Sequence, residues 1–400
     1  MKLPAIQDSF LYHWRYKIAY SVLLILSLLT LTYRLGTLVP GVSASENAHI
    51  QTVTLSNIID HPINAPYRVV QWASLKYMGQ SAIAVRLPSI GFGLLTIIAL
   101  YVALRRIHSE RSALIGALLL TTSSFFLPYA RQGTANITLA AGLTLTFAVM
   151  AWVYVAKRSP LGLVVLAASA AFALYIPLGL VWLVIGTLMA PIALRNDLLW
   201  QVQKRHFILP PLIFLALVAP LIYAGFQHPI VLVKDMFLWP DQLPTIMQFG
   251  KFIGQALLGL FWISPRASEF HLGHLPFLDV FTVIMMFLGI LHLIANRKLK
   301  RIRFIVASTV ISLVVIGLTQ SASAFVLLVP IVYMCAGMGV SRLFREWNNV
   351  FPRNPFARAA AIIPMTLIIG FVMLYHLKYT FVAWPKNPET KSLYNIRLDD

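Results

Sequence analysis

Long apolar stretches alternate along this chain with polar gaps. Eleven can be delimited, near 18–38, 87–104, 112–128, 135–156, 161–175, 177–194, 207–226, 275–295, 303–319, 322–341 and 359–379. A bilayer core about 30 Å thick needs roughly 20 helical residues to cross it. Lipid offers backbone groups no hydrogen-bond partner, so such stretches must be helical. The pattern predicts an all-α, polytopic integral membrane protein with about eleven transmembrane helices. The 161–175 and 177–194 stretches are the shortest and meet at Tyr175, Ile176 and Pro177, so a single kinked element is an alternative there.

Two gaps are long, at about 39–86 and 227–274. In the first, Ser43, Ser45, Glu46 and Asn47 precede AHIQTVTLSNII, which predicts one short helix with an apolar stripe through Ile50, Val53, Ile58 and Ile59. A turn is expected from Asp60 to Pro66, followed by a second amphipathic helix, YRVVQWASLKYMG. Both suit the membrane interface, with Tyr67, Trp72 and Tyr77 at head-group level. The second gap carries Trp239-Pro240-Asp241 and an apolar stretch near 244–263, read as an interfacial or re-entrant helix.

Charge then orients the chain. Only 11% of residues are charged and 59% are hydrophobic, against about 25% charged in soluble domains. The net charge of +19 gathers in alternate gaps, around Lys2/Arg15/Lys17, Arg105/Arg106/Arg111, Lys157/Arg158, Arg195/Lys204/Arg205, Arg297–Arg303 and Arg342–Arg358. Lys and Arg accumulate in cytoplasmic loops. The N-terminus is therefore expected inside, the C-terminus outside, and both long loops, the first and fourth outer loops, outside. This distribution explains the basicity through topology and anionic lipid rather than nucleic acid. The sequence suits a multi-pass plasma or inner membrane protein whose first apolar stretch is a retained anchor. Residues 1–400 are read as one transmembrane domain with no soluble C-terminal domain. The single Cys335 can form no intrachain disulfide, and no P-loop, GxGxxG, CxxC or HExxH motif is present.

The outer side is where the chemistry is expected, because it carries most of the acids. They include Glu46, Asp60, Asp235, Asp241, Glu269 and Asp279, with His49, His61, His228, His271 and His274 among them. The spacing Ser43-x-x-Glu46 fits a capping box, in which Glu only closes a helix start. Arg131 and Arg86 can each be interfacial arginines reaching toward head groups, with Pro88 near the start of its helix. Asn136 fits a helix cap. Glu269-x-His271-x-x-His274 is the one cluster with the look of a metal site, and a polar rim is its alternative.

The order of these pieces resembles the GT-C membrane glycosyltransferases, in the branch of the protein O-mannosyltransferases and aminoarabinose transferases. The resemblance rests on GVSASENAHI, on HPINAPYRVVQWASLKYMG, on Arg86-Leu87-Pro88-Ser89, on LLLTTSSFFLPYAR, and on FVLLVPIVYMCAGMGVSRLF late in the chain. It covers most of 36–160 and 320–346. It implies transfer of a sugar from a polyprenyl-phosphate donor to a protein, lipid or glycan acceptor at the outer face, with an inverting mechanism. Glu46 would be the base, with Asp60 second. Arg131 and Arg86 would contact phosphate, with Lys234 and Arg266 behind them. Asn136, His49 and His61 would line the substrate cleft. No cofactor is required by this reading, and a divalent metal stays open. Two positions depart from the family: Ser45 stands in place of its first acid, and Asn136 in place of an Asp. These departures keep a non-catalytic relative as an alternative, beside a transporter or ligase of lipid-linked saccharides.

Overall fold

The computed structural model describes residues 10–156, 160–189, 208–264, 269–273, 275–296, 299–351 and 355–398. Each of the eleven apolar stretches falls largely on helix. They correspond to α1 (Phe10–Thr32), α5 (Ala82–Ile107), α6 (Glu110–Thr122), α8 (Ile137–Ala156), α9 (Pro160–Leu174) and α10 (Gly179–Met189). The helices Leu209–Gln227, Val280–Ala295, Lys300–Thr319, Leu328–Val350 and Pro355–Lys378 complete the set. Among the described residues, five helical segments, Ala82–Ile107, Leu209–Gln227, Ile302–Thr319, Ala322–Val350 and Ala360–Lys386, are long and apolar enough to cross a bilayer by length and composition. The protein is thus all-helical and polytopic. Between Phe172 and Gly179 the chain turns sharply, with Leu178 in the left-handed region (φ 64°). α9 and α10 are therefore separate helices and not one kinked element.

The Leu328–Val350 helix lies at the centre. In its segment 94% of the apolar window is buried, against 17% for Leu209–Gln227 and for Ala360–Lys386 at the periphery. It packs most closely on Val280–Ala295 and on α6, while α5 packs on α6 and α8. Side-chain oxygens cap several starts: the Ser81 hydroxyl for α5, the Ser109 hydroxyl for α6 and the Asp279 carboxylate for Val280–Ala295 each accept a backbone N–H three residues on.

Three boundaries differ from expectation. α5 starts five residues before Leu87, so Pro88 lies inside the helix rather than near its first position. A proline there cannot bond the Ala84 carbonyl, and the Ser74 hydroxyl donates to it instead at 2.8 Å. α6 stops at Thr122, short of the predicted 128, because Ser123 Oγ takes the N–H groups of Phe125 (3.0 Å) and Phe126 (3.2 Å). A short helix α7 (Leu127–Arg131) follows, with Pro128 in its first turn. The first-loop helix is also two helices, α2 (Ala44–Gln51) and α3 (Leu55–Asp60), divided where Thr54 caps α3. α4 (Ala65–Met78) forms as expected and ends at Gly79, whose φ of 73° suits glycine.

Candidate functional site

Glu46 sits at the start of α2, where the capping box exists in full: Ser43 Oγ accepts from Glu46 N, and Glu46 Oε2 accepts from Ser43 N at 2.9 Å. The carboxylate does more than cap. Arg86 holds it with Nε on Oε1 at 2.8 Å and Nη2 on Oε2 at 2.9 Å, and Gly133 N donates to Oε1 at 2.7 Å. Glu46 is fully buried and its ion-pair partner is 4% exposed. Arg86 spends its other donors on the carbonyls of Leu35 (2.9 Å) and Gly41 (2.8 Å). The pair pins the chain between α1 and α2, the start of α5 and the turn after α7. A charge-assisted, bidentate contact of this kind is strong. With four hydrogen bonds from three donors' residues, Glu46 has no oxygen turned to a substrate. The expected base is here a strut, and the sequence already held half of this reading in its capping spacing.

Arg131 is likewise engaged. Its guanidinium caps the end of α1, donating to the carbonyls of Thr30 (2.7 Å), Leu31 (2.9 Å) and Tyr33 (2.6 Å), and lies over the Phe381 ring. A cation at a helix C-terminus meets the orphan carbonyls and the negative end of the dipole. Burial, with the like charge of Arg86 second, lowers its pKa to about 9. Arg86 and Arg131 flank a gap of about 20 Å³ beside Trp384 and Tyr394. That is room on the scale of one water, and not of a phosphate group. Both arginines, expected to contact phosphate, donate here to backbone carbonyls.

The space that can take a ligand lies on the other side of Gln132. A cavity of about 530 Å³ opens between α2, the turn before α8 and the loops at 269–270 and 321–323. Its polar wall includes Ser45, His49, Asn64, Asn136, Glu269 and Ser321. Cavities of this volume suit small ligands. Two expected residues reach it. His49, with Nδ1 2.8 Å from Gln71 Oε1, is held by burial near a pKa of about 4, so its ring is neutral. Asn136 donates to Thr134 Oγ1 at 3.0 Å. Asn64, in the left-handed region (φ 61°), accepts from Thr138 Oγ1 at 2.7 Å and was not anticipated.

Glu269 supplies the cavity's acid. Its Oε1 accepts from Gln132 Nε2 at 2.5 Å and from the Ser45 hydroxyl in a very short contact. Its backbone carbonyl accepts from Tyr394 OH at 3.1 Å. Tyr394 belongs to the C-terminal segment, which returns to the first loop through a bridge between Val42 and Ile396. Sequence reading missed Gln132 and Ser45 as partners, and took Glu269 only as a weak metal ligand. Its position in the second long loop was the available signal.

The remaining expectations separate. Asp60 is exposed at the end of α3 and outside the cavity wall. His61 pairs with Asp235 at 3.5 Å on the surface, and Lys234 with Asp241 at 2.9 Å. His271 turns into the interior against Phe277 and Tyr379, where burial lowers its pKa to about 4. It does not share a site with Glu269, and no cluster of three metal-ligating side chains occurs among the described residues. Arg266 and His274 lie outside the described residues.

A helical bundle of this kind has counterparts among known structures. The ArnT structure from Cupriavidus metallidurans bound to undecaprenyl phosphate superposes with a TM-score of 0.57 at 15% identity, over 94% of this chain and 76% of that one. The Archaeoglobus fulgidus oligosaccharyltransferase in its apo form gives 0.56 at 12% identity, over 94% of this chain and 57% of that one. The same enzyme tethered to an acceptor peptide with the NVT sequon gives 0.51 at 13%, over 98% and 60%. This chain therefore spans less than two thirds of the archaeal protein. At such identities the likeness is one of fold. No curated protein matches in sequence. Residues 60–223 match the family described as dolichyl-phosphate-mannose-protein mannosyltransferase. The fold is that of the GT-C glycosyltransferases. Over α4 to the Leu209–Gln227 helix, the sequence is similar to that mannosyltransferase family.

Proposed function

We propose that this protein is a membrane glycosyltransferase that moves a sugar from a polyprenyl-phosphate donor to an acceptor on the extracytoplasmic side. The observation that carries this reading is the 530 Å³ cavity under the first and fourth outer loops, walled by amides, hydroxyls and one carboxylate, on a GT-C fold. Hydrogen-bonding neutral groups suit a sugar, which presents hydroxyls in every direction. Support comes from the two fold neighbours, one holding undecaprenyl phosphate and the other an acceptor peptide. The prenyl chain would enter sideways from the lipid and the acceptor from water, with inversion at C1. Glu46 and Arg86 serve by holding the loop that forms one wall. His49, Asn64 and Asn136 are the side chains proposed to contact the sugar.

The purified protein in nanodiscs, given radiolabelled polyprenyl-phosphate hexoses and pentoses with envelope extract, should release free polyprenyl phosphate and label one acceptor fraction. Failure with every donor would remove the enzymatic reading. Sidedness has its own test. Cys335 is buried and free, so the background of thiol labelling is low. Cysteines replacing the exposed Gln242 and Ser392 should react with an impermeant maleimide in intact cells, and one replacing Glu346 should react only after lysis. Reaction at 346 in intact cells would invert the orientation.

A further inference from the structure

We infer that Glu269, carried by the fourth outer loop, is the catalytic carboxylate that accepts the acceptor's proton, and that Ser45 and Gln132 position it. The inference rests on the glycosyltransferase reading above and names a residue for which neither the fold nor the family match gives a role.

Glu269 lines the cavity, while Glu46, beside the wall residue Ser45 in sequence, is fully buried, and their surroundings divide the work between them. Glu46 accepts from Arg86 at both oxygens and from two backbone N–H groups, one at each oxygen. Its lone pairs are spent, and a proton added there would have to break an ion pair. Glu269 is held at one oxygen only. Ser45 Oγ and Gln132 Nε2 both donate to Oε1, and among the described residues no donor reaches Oε2. The side chain is partly exposed and lines the cavity. One oxygen fixes the orientation, and the other is left open to an acceptor on a side chain that lines the cavity. A general base must be within hydrogen-bond reach of the proton it removes, and Glu269 is the acid placed for that.

The elements that converge on it are distant in sequence: Ser45 lies 224 residues away and Gln132 lies 137. Tyr394 adds a third tether by donating to the Glu269 carbonyl. The loop is thus fixed at side chain and backbone. Residue 45 carries a hydroxyl that cannot act as a base at neutral pH, yet it touches the carboxylate that can. A carboxylate grown on residue 45 would lie in the same place.

The step balances as follows. The acceptor O–H or N–H proton passes to Glu269 Oε2 while the acceptor's lone pair forms a bond to the sugar C1. The C1–O bond to phosphate breaks, and its electron pair leaves with polyprenyl phosphate. The proton on Glu269 returns to water after the product departs.

The test uses the wild-type protein and three variants. Glu269→Gln keeps an acceptor oxygen for Ser45 and Gln132, so its melting temperature should match wild type, and kcat should fall about 10²–10⁴-fold with KM little changed. The acidic limb of the pH profile of kcat/KM should disappear with it. Ser45→Asp combined with Glu269→Gln should regain at least tenfold over the single variant, because the base is restored from the neighbouring residue. Asp60→Asn should retain wild-type turnover. Full activity in a folded Glu269→Gln overturns the assignment and leaves the glycosyltransferase reading standing. Loss in Asp60→Asn with activity kept in Glu269→Gln would move the base to Asp60. A wild type that releases no polyprenyl phosphate from any donor overturns both readings, and the two failures are told apart by which protein is silent.

Discussion

Arg86→Ala is expected to lose about 3–5 kcal/mol of stability, the usual result of removing one partner from a buried ion pair. The substitution leaves the Glu46 carboxylate fully buried with only two backbone donors, and strips the Leu35 and Gly41 carbonyls of theirs. Each orphaned buried group adds to the loss. Arg86→Lys should recover only part of it, since an ammonium cannot make the two-pronged contact or reach both carbonyls. Glu46→Gln should also destabilise by well over 1 kcal/mol, because its amide NH₂ would face a guanidinium or a backbone N–H. Thermal melts in detergent, run as a double-mutant cycle, give the decisive comparison. Glu46→Leu with Arg86→Met should be less damaging than the sum of the two single changes. Strict additivity would mean the two side chains do not depend on each other, and the strut would be disproved.

The bundle was legible because a membrane makes length and apolarity diagnostic: among the described residues, each of the eleven stretches falls largely on helix. Boundaries failed where a side chain competed with the backbone. Ser123 ended α6 by capturing two N–H groups, and Ser81 started α5 earlier than the apolar run itself. The site was less legible for a different reason. Hydrogen-bond pairing across 40 residues, as in Glu46 with Arg86, leaves no periodic trace in the sequence. Nor does the contact of Glu269 with Ser45 from a loop more than 200 residues later. Spacing exposed the cap at Glu46 and could not show that its other lone pairs were taken. Residues on the first loop and the turn before α8, His49 and Asn136, were found because the chain folds locally there. Charged residues of the two long loops, Lys234 with Asp241 and His61 with Asp235, paired with each other on the surface instead.

Gly339→Ala is expected to prevent assembly of the bundle, although it adds one methyl group to an apolar helix. A Cβ there would stand 1.9 Å from the Met285 carbonyl oxygen and 3.0 Å from Gly289 N. The facing position behaves alike: a Cβ on Gly289 would lie 2.0 Å from the Cys335 carbonyl oxygen. Residues 335 and 339 are one turn apart on the central helix, as 285 and 289 are on its neighbour, so two backbones touch along a full turn. Gly337 meets α6 in the same way, its Cβ falling 2.6 Å from the Ser112 carbonyl oxygen. These obstacles are backbone atoms, which cannot rotate aside as a side chain can. The central helix would have to move away from one neighbour, opening gaps along its whole buried length. Close approach through small residues is how helices associate where the surrounding lipid is as apolar as leucine. The glycines of the FVLLVPIVYMCAGMGVSRLF stretch, one of those that carry the family resemblance, thus have a packing cause. Gly370→Ala is the control. It lies on the peripheral Pro355–Lys378 helix with nothing within 4 Å of its Cβ, and alanine there should stabilise by about 0.5–1 kcal/mol through helix propensity. Size-exclusion profiles and melts should show Gly339→Ala and Gly289→Ala aggregated or strongly destabilised, and Gly370→Ala monodisperse. A Gly339→Ala protein that melts like wild type would mean that the two helices do not meet at that turn.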